Sequence, residues 1–292
     1  MEDKQYLFSQ LKPVLLNDLI RIGNKDGDGG YILSKRQIEY TNVLIGLGIS
    51  YDWTFEKEMK DLNTNLTLYC YDFSVGESKF LKKTFSYLID IVSLRTFLNL
   101  FKNFRAFVIT LSNPIKELNT YFSFRHFFNK KRNIFFFQKG ISNNTSDIFI
   151  QTSEMFNNIP DFKNLADNSV YLKIDIEGSE YVILEDIIRH NAKINGLVIE
   201  FHDLNLKWNI FNSIILKLKT NFAIIHVHAN NCCGCINETQ IPNVVEISFM
   251  KKELISAGEL NSQNLQSYPL SHIDKQNMPN KVDLELNFDW NN

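Results

Sequence analysis

The chain has 292 residues and is 44% hydrophobic, which is enough for one sizeable core with additions or for two small domains. Its formal net charge of −2 gives no overall attraction to nucleic acid or to an anionic membrane, and no apolar run approaches the ~20 residues of a membrane-spanning helix. Four cysteines exclude a disulfide-stapled scaffold, and together with an acidic N-terminus that lacks the features of a secretory signal they predict a cytoplasmic protein.

Seven short apolar runs predict the strands of one sheet. They cover residues 43–48, 66–73, 134–141, 170–178, 194–202, 221–229 and 244–252. Helical patterns follow the first, fourth and fifth runs, and strands that alternate with helices are typical of a parallel, doubly wound α/β sheet. The last two runs are joined without a helical pattern, so they are candidates for an antiparallel pair.

A glycine-rich segment precedes the first strand. The sequence DGDGGYIL covers residues 26–33 and predicts a tight turn. The functional alternative is a lid that brings Asp28 or Tyr31 over a bound cofactor.

Two glycines end the first strand, and an acid closes the second. Gly46 and Gly48 would let a ligand approach the backbone, but Tyr51 stands where the dinucleotide fingerprint has its third glycine, so a phosphate cradle is not predicted. Asp72 lies where a carboxylate accepts the hydroxyls of a ribose. Together these features favour a nucleoside ligand without a pyrophosphate, and S-adenosylmethionine is the commonest such cofactor. The structural alternative is a tight turn alone.

The region from about residue 79 to 133 is too long for a simple crossover between strands. It is rich in lysine, arginine and phenylalanine, with only Asp90 and Glu117 as acids. We interpret it as an inserted, mainly helical element whose Phe side chains pack inward and whose basic side chains are solvated. It contains no nucleic-acid motif, so the functional alternatives are a lid over an anionic or glycan acceptor and peripheral contact with an acidic membrane surface.

Acids and a histidine end the fourth and fifth strands. Asp175 and Glu177 lie at the end of the fourth, Glu200 and His202 lie at the end of the fifth, and Asp203 directly follows the fifth. Because the ends of neighbouring parallel strands meet at one edge, all five would share a pocket beyond it. His202 is the candidate general base, with Asp175 or Glu177 orienting it or the acceptor. The alternative is a divalent ion, Mg²⁺ or Mn²⁺, held by Asp175 with His202 or Asp203.

Three of the four cysteines cluster after the sixth strand. Cys232, Cys233 and Cys235 are too closely spaced for a structural zinc site, so we predict a loop with reduced thiols in the wall of the substrate site. From about residue 256 to 292 the chain is polar with two prolines, which predicts a tail that wraps the surface.

The segment LKIDIEGSEYVIL, residues 172–184, resembles the hallmark of FkbM-type S-adenosylmethionine-dependent methyltransferases. The similarity covers nearly the whole chain except residues 79–133, through blocks in the family's order: RIGNKDGDGGYIL, LIGLGISYDWTFE, VIEFHDL, HVHANNCCG, PNVVEISF and YPLSHIDKQNMPN. It implies a class I methyltransferase fold, whose seven-stranded sheet has an antiparallel last strand. It also implies that Gly46 and Gly48 line the cofactor, that Asp72 holds its ribose and that Asp175 lies beside the transferred methyl group.

We therefore expect one methyltransferase domain over residues 1–292, with the insertion at about 79–133 and the tail at about 256–292. The expected reaction moves a methyl group to a hydroxyl of a sugar in a surface glycan or of a related small metabolite, because the family includes O-methyltransferases of sugars and secondary metabolites. The chain departs from the family in having no acid just ahead of its first glycines. Two alternatives stay open: a divalent-metal-dependent hydrolase built on the same acids and histidine, and a noncatalytic module that binds the cofactor. The sequence predicts no oligomeric state.

Overall fold

The computed structural model of the protein describes residues 8–91, 104–236, 241–262, 264–286 and 288. Its strands are β1 (Leu19–Gly23), β2 (Gly30–Ser34), β3 (Val43–Leu47), β4 (Thr67–Tyr71), β5 (Ile134–Phe137), β6 (Gly140–Ile141), β7 (Phe149–Ile150), β8 (Val170–Ile174), β9 (Ile194–Phe201), β10 (Phe222–Ala229) and β11 (Val245–Lys251). Its helices are α1 (Lys35–Tyr40), α2 (Thr54–Leu62), α3 (Glu77–Ile91), α4 (Phe104–Phe127), α5 (Thr152–Asn157), α6 (Glu180–Ile188), α7 (Leu204–Asn221) and α8 (Ala257–Leu260). Among the described residues, no helix combines the length and the apolar character needed to cross a membrane.

Seven strands form one sheet in the order β10-β11-β9-β8-β3-β4-β5. Neighbouring strands from β9 to β5 are parallel, whereas β11 runs antiparallel to both of its neighbours. All seven predicted strands and the antiparallel last strand are confirmed. Helices α6 and α7 pack on one face, and α2, α3 and α4 pack on the other. Because both faces are covered, β3, β8 and β9 consist of buried residues and are continuous apolar runs in the sequence.

The strand order reverses between β3 and β8. From β3 the chain proceeds through β4 to β5 and then crosses back to β8 on the other side of β3. In open α/β sheets, ligands bind outside the carboxyl ends of the strands at such a switch point. Leu47 of β3 and Ile174 of β8 pair at those ends, so the next residues, Gly48 and Asp175, lie side by side.

A hairpin of β1 and β2 lies outside the seven-stranded sheet, where the sequence analysis predicts a tight turn or a lid but no strands. The Ser248 hydroxyl of β11 donates to the Ile32 carbonyl of β2 at 2.5 Å. Tyr31 of β2 packs edge-on against Phe55 of α2, with 5.6 Å between ring centres. The glycine-rich segment is therefore held against the sheet by β2.

The region interpreted as an insertion contains α3 and α4, and residues 92–103 between them lie outside the described residues. Phe80 and Phe124 are buried in a cluster with core residues of β3 and β4, as expected. Phe85 and Phe122 are instead 65% and 61% exposed. The expectation that the Phe side chains pack inward is therefore wrong at these two positions.

The tail after β11 contains α8 and an isolated bridge between Tyr268 and Leu286. Its acids reach back to histidines of β10. Asp274 lies 3.1 Å from His226, and Asp283 lies 3.3 Å from His228. The described part of the tail therefore wraps the edge strand β10. It also contains the short helix α8, which the sequence analysis does not predict.

Candidate functional site

A cleft opens beyond the carboxyl ends of β3, β4 and β8. Its empty volume is about 690 Å³ when the open mouth is included. Four of the predicted site residues line it: Gly48, Asp72, Asp175 and Glu177. The sheet topology thus gathers residues that are more than a hundred positions apart in the sequence.

Gly48 joins the ends of three strands. Its N–H donates to the Tyr71 carbonyl of β4 at 3.0 Å, and its own carbonyl accepts from Lys173 Nζ of β8. Its φ is +77°, and a Cβ atom would lie 1.6 Å from the Asp175 carbonyl oxygen. Only glycine fits this position, which leaves backbone exposed at the floor of the cleft.

Gly46, the other glycine predicted to line a cofactor, lies inside β3 and is not part of the lining of the cleft. A Cβ atom there would come within 2.9 Å of Glu56 Oε1. Glu56 is fully buried, and neither carboxylate oxygen has a hydrogen-bond partner among the described residues. Burial raises the pKa of Glu56 to about 7, against the opposing effect of Lys173.

Asp72 closes β4 and faces the cleft. Its Oδ2 accepts from the Ser50 N–H at 2.7 Å, and its Oδ1 accepts from the N–H and the hydroxyl of Ser74 at 2.5 and 2.6 Å. These bonds fix the orientation of the carboxylate. A carboxylate offers about four lone-pair positions, so at least one on Oδ2 stays open to a ligand hydroxyl.

A buried lysine that the sequence analysis did not identify organises this edge of the sheet. Lys173 Nζ lies 3.6 Å from Asp175 Oδ2 and 5.5 Å from the ring centre of Tyr31, and its side chain is only 6% exposed. Burial disfavours its charged form, but Asp175 and then Glu56 outweigh burial and raise the pKa of Lys173. The only sequence signal for it is a lysine inside an otherwise apolar strand.

Asp175 follows β8 and is held from two sides. The Tyr31 hydroxyl donates to Asp175 Oδ2 at 2.9 Å, and Lys173 approaches the same oxygen. Burial and the charge of Asp175 raise the pKa of Tyr31 well above its usual value, so the phenol remains a donor. Glu177, with a φ of +49°, is exposed at the wall of the cleft.

His202 follows β9 and lies between two glutamates. Its Nδ1 is 3.6 Å from Glu180 Oε1, and its Nε2 is 3.6 Å from Glu200 Oε1, distances of ionic contacts rather than hydrogen bonds. Burial opposes protonation of the imidazole. Glu180, followed by Asp175 and Glu177, outweighs burial and raises the pKa of His202. His202 therefore holds a proton more tightly than an ordinary histidine.

A cluster of carboxylates lies next to this histidine. Glu200 of β9 pairs with Glu246 of β11, and Asp28 of the β1–β2 turn joins them, with one oxygen of each within 4.8 Å of the others. Asn277 of the tail donates to Asp28 at 2.9 Å and to Glu246 at 2.6 Å. Burial and then the neighbouring acids raise the pKa of Glu200 well above its usual value. The cluster therefore tends to retain a proton.

Asp175, Glu200 and His202 form a group that could hold a cation, with one ligand atom from each within 4.8 Å of the others. Asp203, which the sequence analysis assigns as an alternative ligand, is not part of this group. Its carboxylate lies 3.5 Å from Lys207 Nζ, one turn along α7. Glu200 takes its place because it points to the same side of β9 as His202.

Cys232 and Cys233 are joined by a disulfide, whereas Cys235 is free. The expectation of reduced thiols is therefore wrong for the first two. Lys281 of the tail donates to the Cys232 carbonyl at 2.5 Å, so this loop is attached to the tail. Among the described residues, the groups with metal-binding geometry contain no cysteine.

No protein-family model matches this chain, and no curated protein matches it either. Several solved structures are similar to it, among them the following three. The crystal structure of a fibrillarin/Nop5p complex shares 11% identity over 78% of this chain and 88% of that chain, with a TM-score of 0.37. The Methanococcus jannaschii fibrillarin pre-rRNA processing protein shares 12% sequence identity over 79% of this chain and 82% of that chain, with a TM-score of 0.35. Precorrin-6y C5,15-methyltransferase from Geobacter metallireducens GS-15 shares 10% sequence identity over 74% of this chain and 84% of that chain, with a TM-score of 0.31.

Similarities at this level carry no argument about activity. The assignment of the fold as α/β and class I methyltransferase-like rests on the strand order and the antiparallel last strand of this chain.

Proposed function

We propose that this protein is an S-adenosylmethionine-dependent O-methyltransferase that acts on a hydroxyl of a sugar, in a surface glycan or a related metabolite. The observation that carries the proposal is one continuous edge of the sheet. The cleft that contains Gly48 and Asp72 meets, at Asp175, a polar cluster that contains His202. A cofactor cleft and a cluster able to align and deprotonate a hydroxyl are the two parts that methyl transfer requires.

The cleft fits a nucleoside without a phosphate. Asp72 would hold the ribose, and the rings of Phe73 and Phe149, which contact each other with 5.2 Å between centres, offer an apolar surface against which a purine can pack. The absent side chain at Gly48 lets a ligand approach the backbone. Ser50 and Tyr51 follow in place of a glycine-rich phosphate loop. S-adenosylmethionine meets each of these conditions.

The cofactor would supply a methyl carbon made electrophilic by its sulfonium, which leaves the protein to align the acceptor hydroxyl and to remove one proton. His202 removes the proton. Its Nδ1 is buried and faces Glu180, so Nε2 is the atom that accepts the proton of the hydroxyl. Asp175 is oriented by Tyr31 and Lys173. Its carboxylate accepts a hydrogen bond from the substrate that receives the methyl group and so aligns that substrate.

A polyhydroxylated acceptor suits the carboxylates beside His202. Glu200, Glu246 and Asp28 present oxygens within 4.8 Å of one another. The raised pKa of Glu200 lets its protonated form donate a hydrogen bond as well as accept one. Two neighbouring hydroxyls of a sugar ring can each donate a hydrogen bond to one of these carboxylate oxygens. For this reason we favour a sugar as the methyl acceptor.

The variant of this mechanism places Mg²⁺ or Mn²⁺ on Asp175, Glu200 and His202, where the ion would acidify the hydroxyl. Full turnover after exhaustive chelation removes this variant. Lost turnover that returns with Mg²⁺ or Mn²⁺ removes His202 as the base.

Calorimetric titration with S-adenosylhomocysteine tests the proposal. We expect the wild-type protein to bind and Asp72→Asn to bind at least about tenfold more weakly, a loss of ~1.4 kcal/mol, because the ribose loses a charged acceptor. The matched control is Asp61→Asn, an exposed acid of α2, which should bind as the wild type does.

Failure of the wild-type protein to bind S-adenosylhomocysteine would overturn the proposal and favour the hydrolase alternative. Binding without methyl transfer to any of a panel of mono- and oligosaccharides would favour the noncatalytic module.

A further inference from the structure

Helices α3 and α4 expose an unusual number of large apolar side chains. Nine of them are at least 39% exposed. They are Leu81, Phe85, Leu88 and Ile89 of α3 and Val108, Ile109, Leu111, Ile115 and Phe122 of α4. Scattered single apolar residues on a surface need no explanation, but a contiguous patch marks an interaction site.

The two helices pack antiparallel to each other. Phe80 of α3 contacts Phe124 of α4, with 5.2 Å between ring centres, and Lys83 lies 3.4 Å from Glu117. Residues further along α3 therefore contact residues nearer the start of α4, as expected for antiparallel helices. The buried residues along this seam include Phe80 and Thr84 on α3, and Glu117, Tyr121 and Phe124 on α4.

Eight of the nine exposed apolar residues lie on one side of that seam, whereas Ile109, eight positions before Glu117, is turned to the other side. On α3, Leu81 and Phe85 follow the seam residues Phe80 and Thr84 by one position, and on α4 Phe122 follows Tyr121 in the same way. One position turns the side chain by about 100° around the helix axis. Because the helices are antiparallel, a one-residue step from the seam points to the same side of the pair on both helices. The exposed row of α3 and the exposed row of α4 therefore lie on the same surface. We call this continuous surface the α3–α4 face.

Helices α3 and α4 are basic, and two of their exposed cations, Lys82 and Arg125, lie beside the α3–α4 face. Exposed cations are Lys79, Lys82, Arg105, Lys116 and Arg125. The exposed acids of the two helices are Glu77 and Asp90, and the third acid, Glu117, is buried beside Lys83. An apolar surface with a basic margin is typical of helices that lie in the interface of an anionic bilayer.

We propose that the α3–α4 face docks onto an anionic lipid surface, with both helices lying in the plane of the interface. Its apolar side chains enter the boundary between headgroups and acyl chains, while Lys82 and Arg125 reach lipid phosphates. A second copy of this chain is a poorer occupant because it would bring two basic margins together.

Docking would hold the cleft near the membrane. Lys83 of α3 donates to the Tyr51 hydroxyl at 2.9 Å, and the adjacent Ser50 lines the cleft and donates to Asp72. If the proposed function holds, an acceptor presented at a membrane surface is then within reach. The docking itself does not depend on methyl transfer, so the two proposals fail separately.

Sedimentation of the full chain with vesicles tests the docking. We expect at least tenfold tighter binding to vesicles of phosphatidylcholine and phosphatidylglycerol than to phosphatidylcholine alone, weakened by added salt. Lys82→Gln with Arg125→Gln should weaken binding roughly thirtyfold, since each basic residue near the surface contributes about fivefold. Phe85→Ser with Phe122→Ser should also weaken it at least about tenfold.

The control is Leu206→Ser with Leu216→Ser, two α7 residues that are 80% and 56% exposed, and it should bind as the wild type does. All of these changes are at exposed positions, so melting temperatures should stay near that of the wild type. Equal binding to the two kinds of vesicle, or no binding, overturns the proposal. So does a stable dimer of the wild type in sedimentation velocity that Phe85→Ser with Phe122→Ser converts to monomer.

Discussion

His202 lies between Glu180 and Glu200, and this placement sets the pH range in which it can act as a base. Glu180 is the first of the groups that raise the pKa of His202 against the effect of burial. The same carboxylate accepts the backbone N–H of His202, and its other oxygen accepts the Gly178 N–H. Glu180 is therefore a positioning residue that also tunes the imidazole.

We predict that Glu180→Gln moves the ascending limb of the pH–rate profile to lower pH. In the wild type, activity should rise with pH through a pKa above the usual ~6.5 of histidine, because the base must lose its proton. Removing the charge of Glu180 leaves the opposing effect of burial, which lowers the pKa of His202. His202→Ala should lower kcat by ~10²–10⁴-fold.

The control for this prediction is Glu185→Gln, an exposed residue of the same helix that pairs with Lys217, and it should leave the limb in place. A limb that stays in place in Glu180→Gln, or moves to higher pH, would contradict the assignment.

At this scale, the sequence predicts the acids and the histidine at strand ends and misses the buried lysine inside β8. Asp72, Asp175 and His202 were identifiable because each directly follows an apolar run. Lys173 was not, because a lysine in a strand pattern indicates a solvent-facing position. Its burial depends on the Gly48 carbonyl and on Asp175, which only the sheet topology brings to it.

Helix α4 illustrates how two phenylalanines that are two positions apart can have opposite environments. Phe124 is 2% exposed and contacts Phe80, Trp53 and Phe136, whereas Phe122 is 61% exposed. The insertion is thus part of the core of the domain as well as an addition to its surface.

We predict that Phe124→Ala lowers the free energy of unfolding by roughly 3–5 kcal/mol, through lost burial and the cavity left behind. Phe122→Ala should change it by less than about 0.5 kcal/mol. Urea denaturation of both variants measures the difference. Similar losses in the two would show that the seam between the helices is not as described.

The sequence predicts that residues 79–133 are helical, basic and aromatic, but not which aromatic residues are buried. Composition is the same whichever side of a helix faces the core. The antiparallel packing of α3 on α4 determines which aromatic side chains are buried. It places Phe85 and Phe122 on the exposed side.

The N- and C-terminal segments of the described chain meet on the molecule. Phe8 stacks on Phe288 at 5.9 Å, and Phe288 contacts Tyr268 at 5.6 Å. His228 of β10 joins this arrangement through Asp283 of the tail and Glu246 of β11. Burial alone would lower its pKa, but these two acids raise the pKa of His228 to about 10.

We predict that His228 makes stability depend on pH between about 6.5 and 10. Its folded-state pKa is above its unfolded value, so its contribution is fully present below pH ~6.5 and is lost as pH rises through about 10. At pH 6, His228→Gln should unfold more easily than the wild type by a few kcal/mol, and the difference should vanish towards pH 10.

The measurement is urea denaturation across this range, with His272→Gln, an exposed histidine of the tail, as the control. A difference between His228→Gln and the wild type that is constant with pH would contradict the prediction.

The site takes one residue from each of several distant parts of the chain: Asp28, Gly48, Asp72, Asp175, His202 and Glu246. An unfolded chain cannot assemble such a set, so a ligand of this site binds the folded state alone. Mass action then couples occupancy to melting, and a ligand present at a hundred times its Kd adds about 2.7 kcal/mol to the free energy of unfolding. A thermal scan of saccharides in the presence of S-adenosylhomocysteine would therefore search for the acceptor without any assay of turnover.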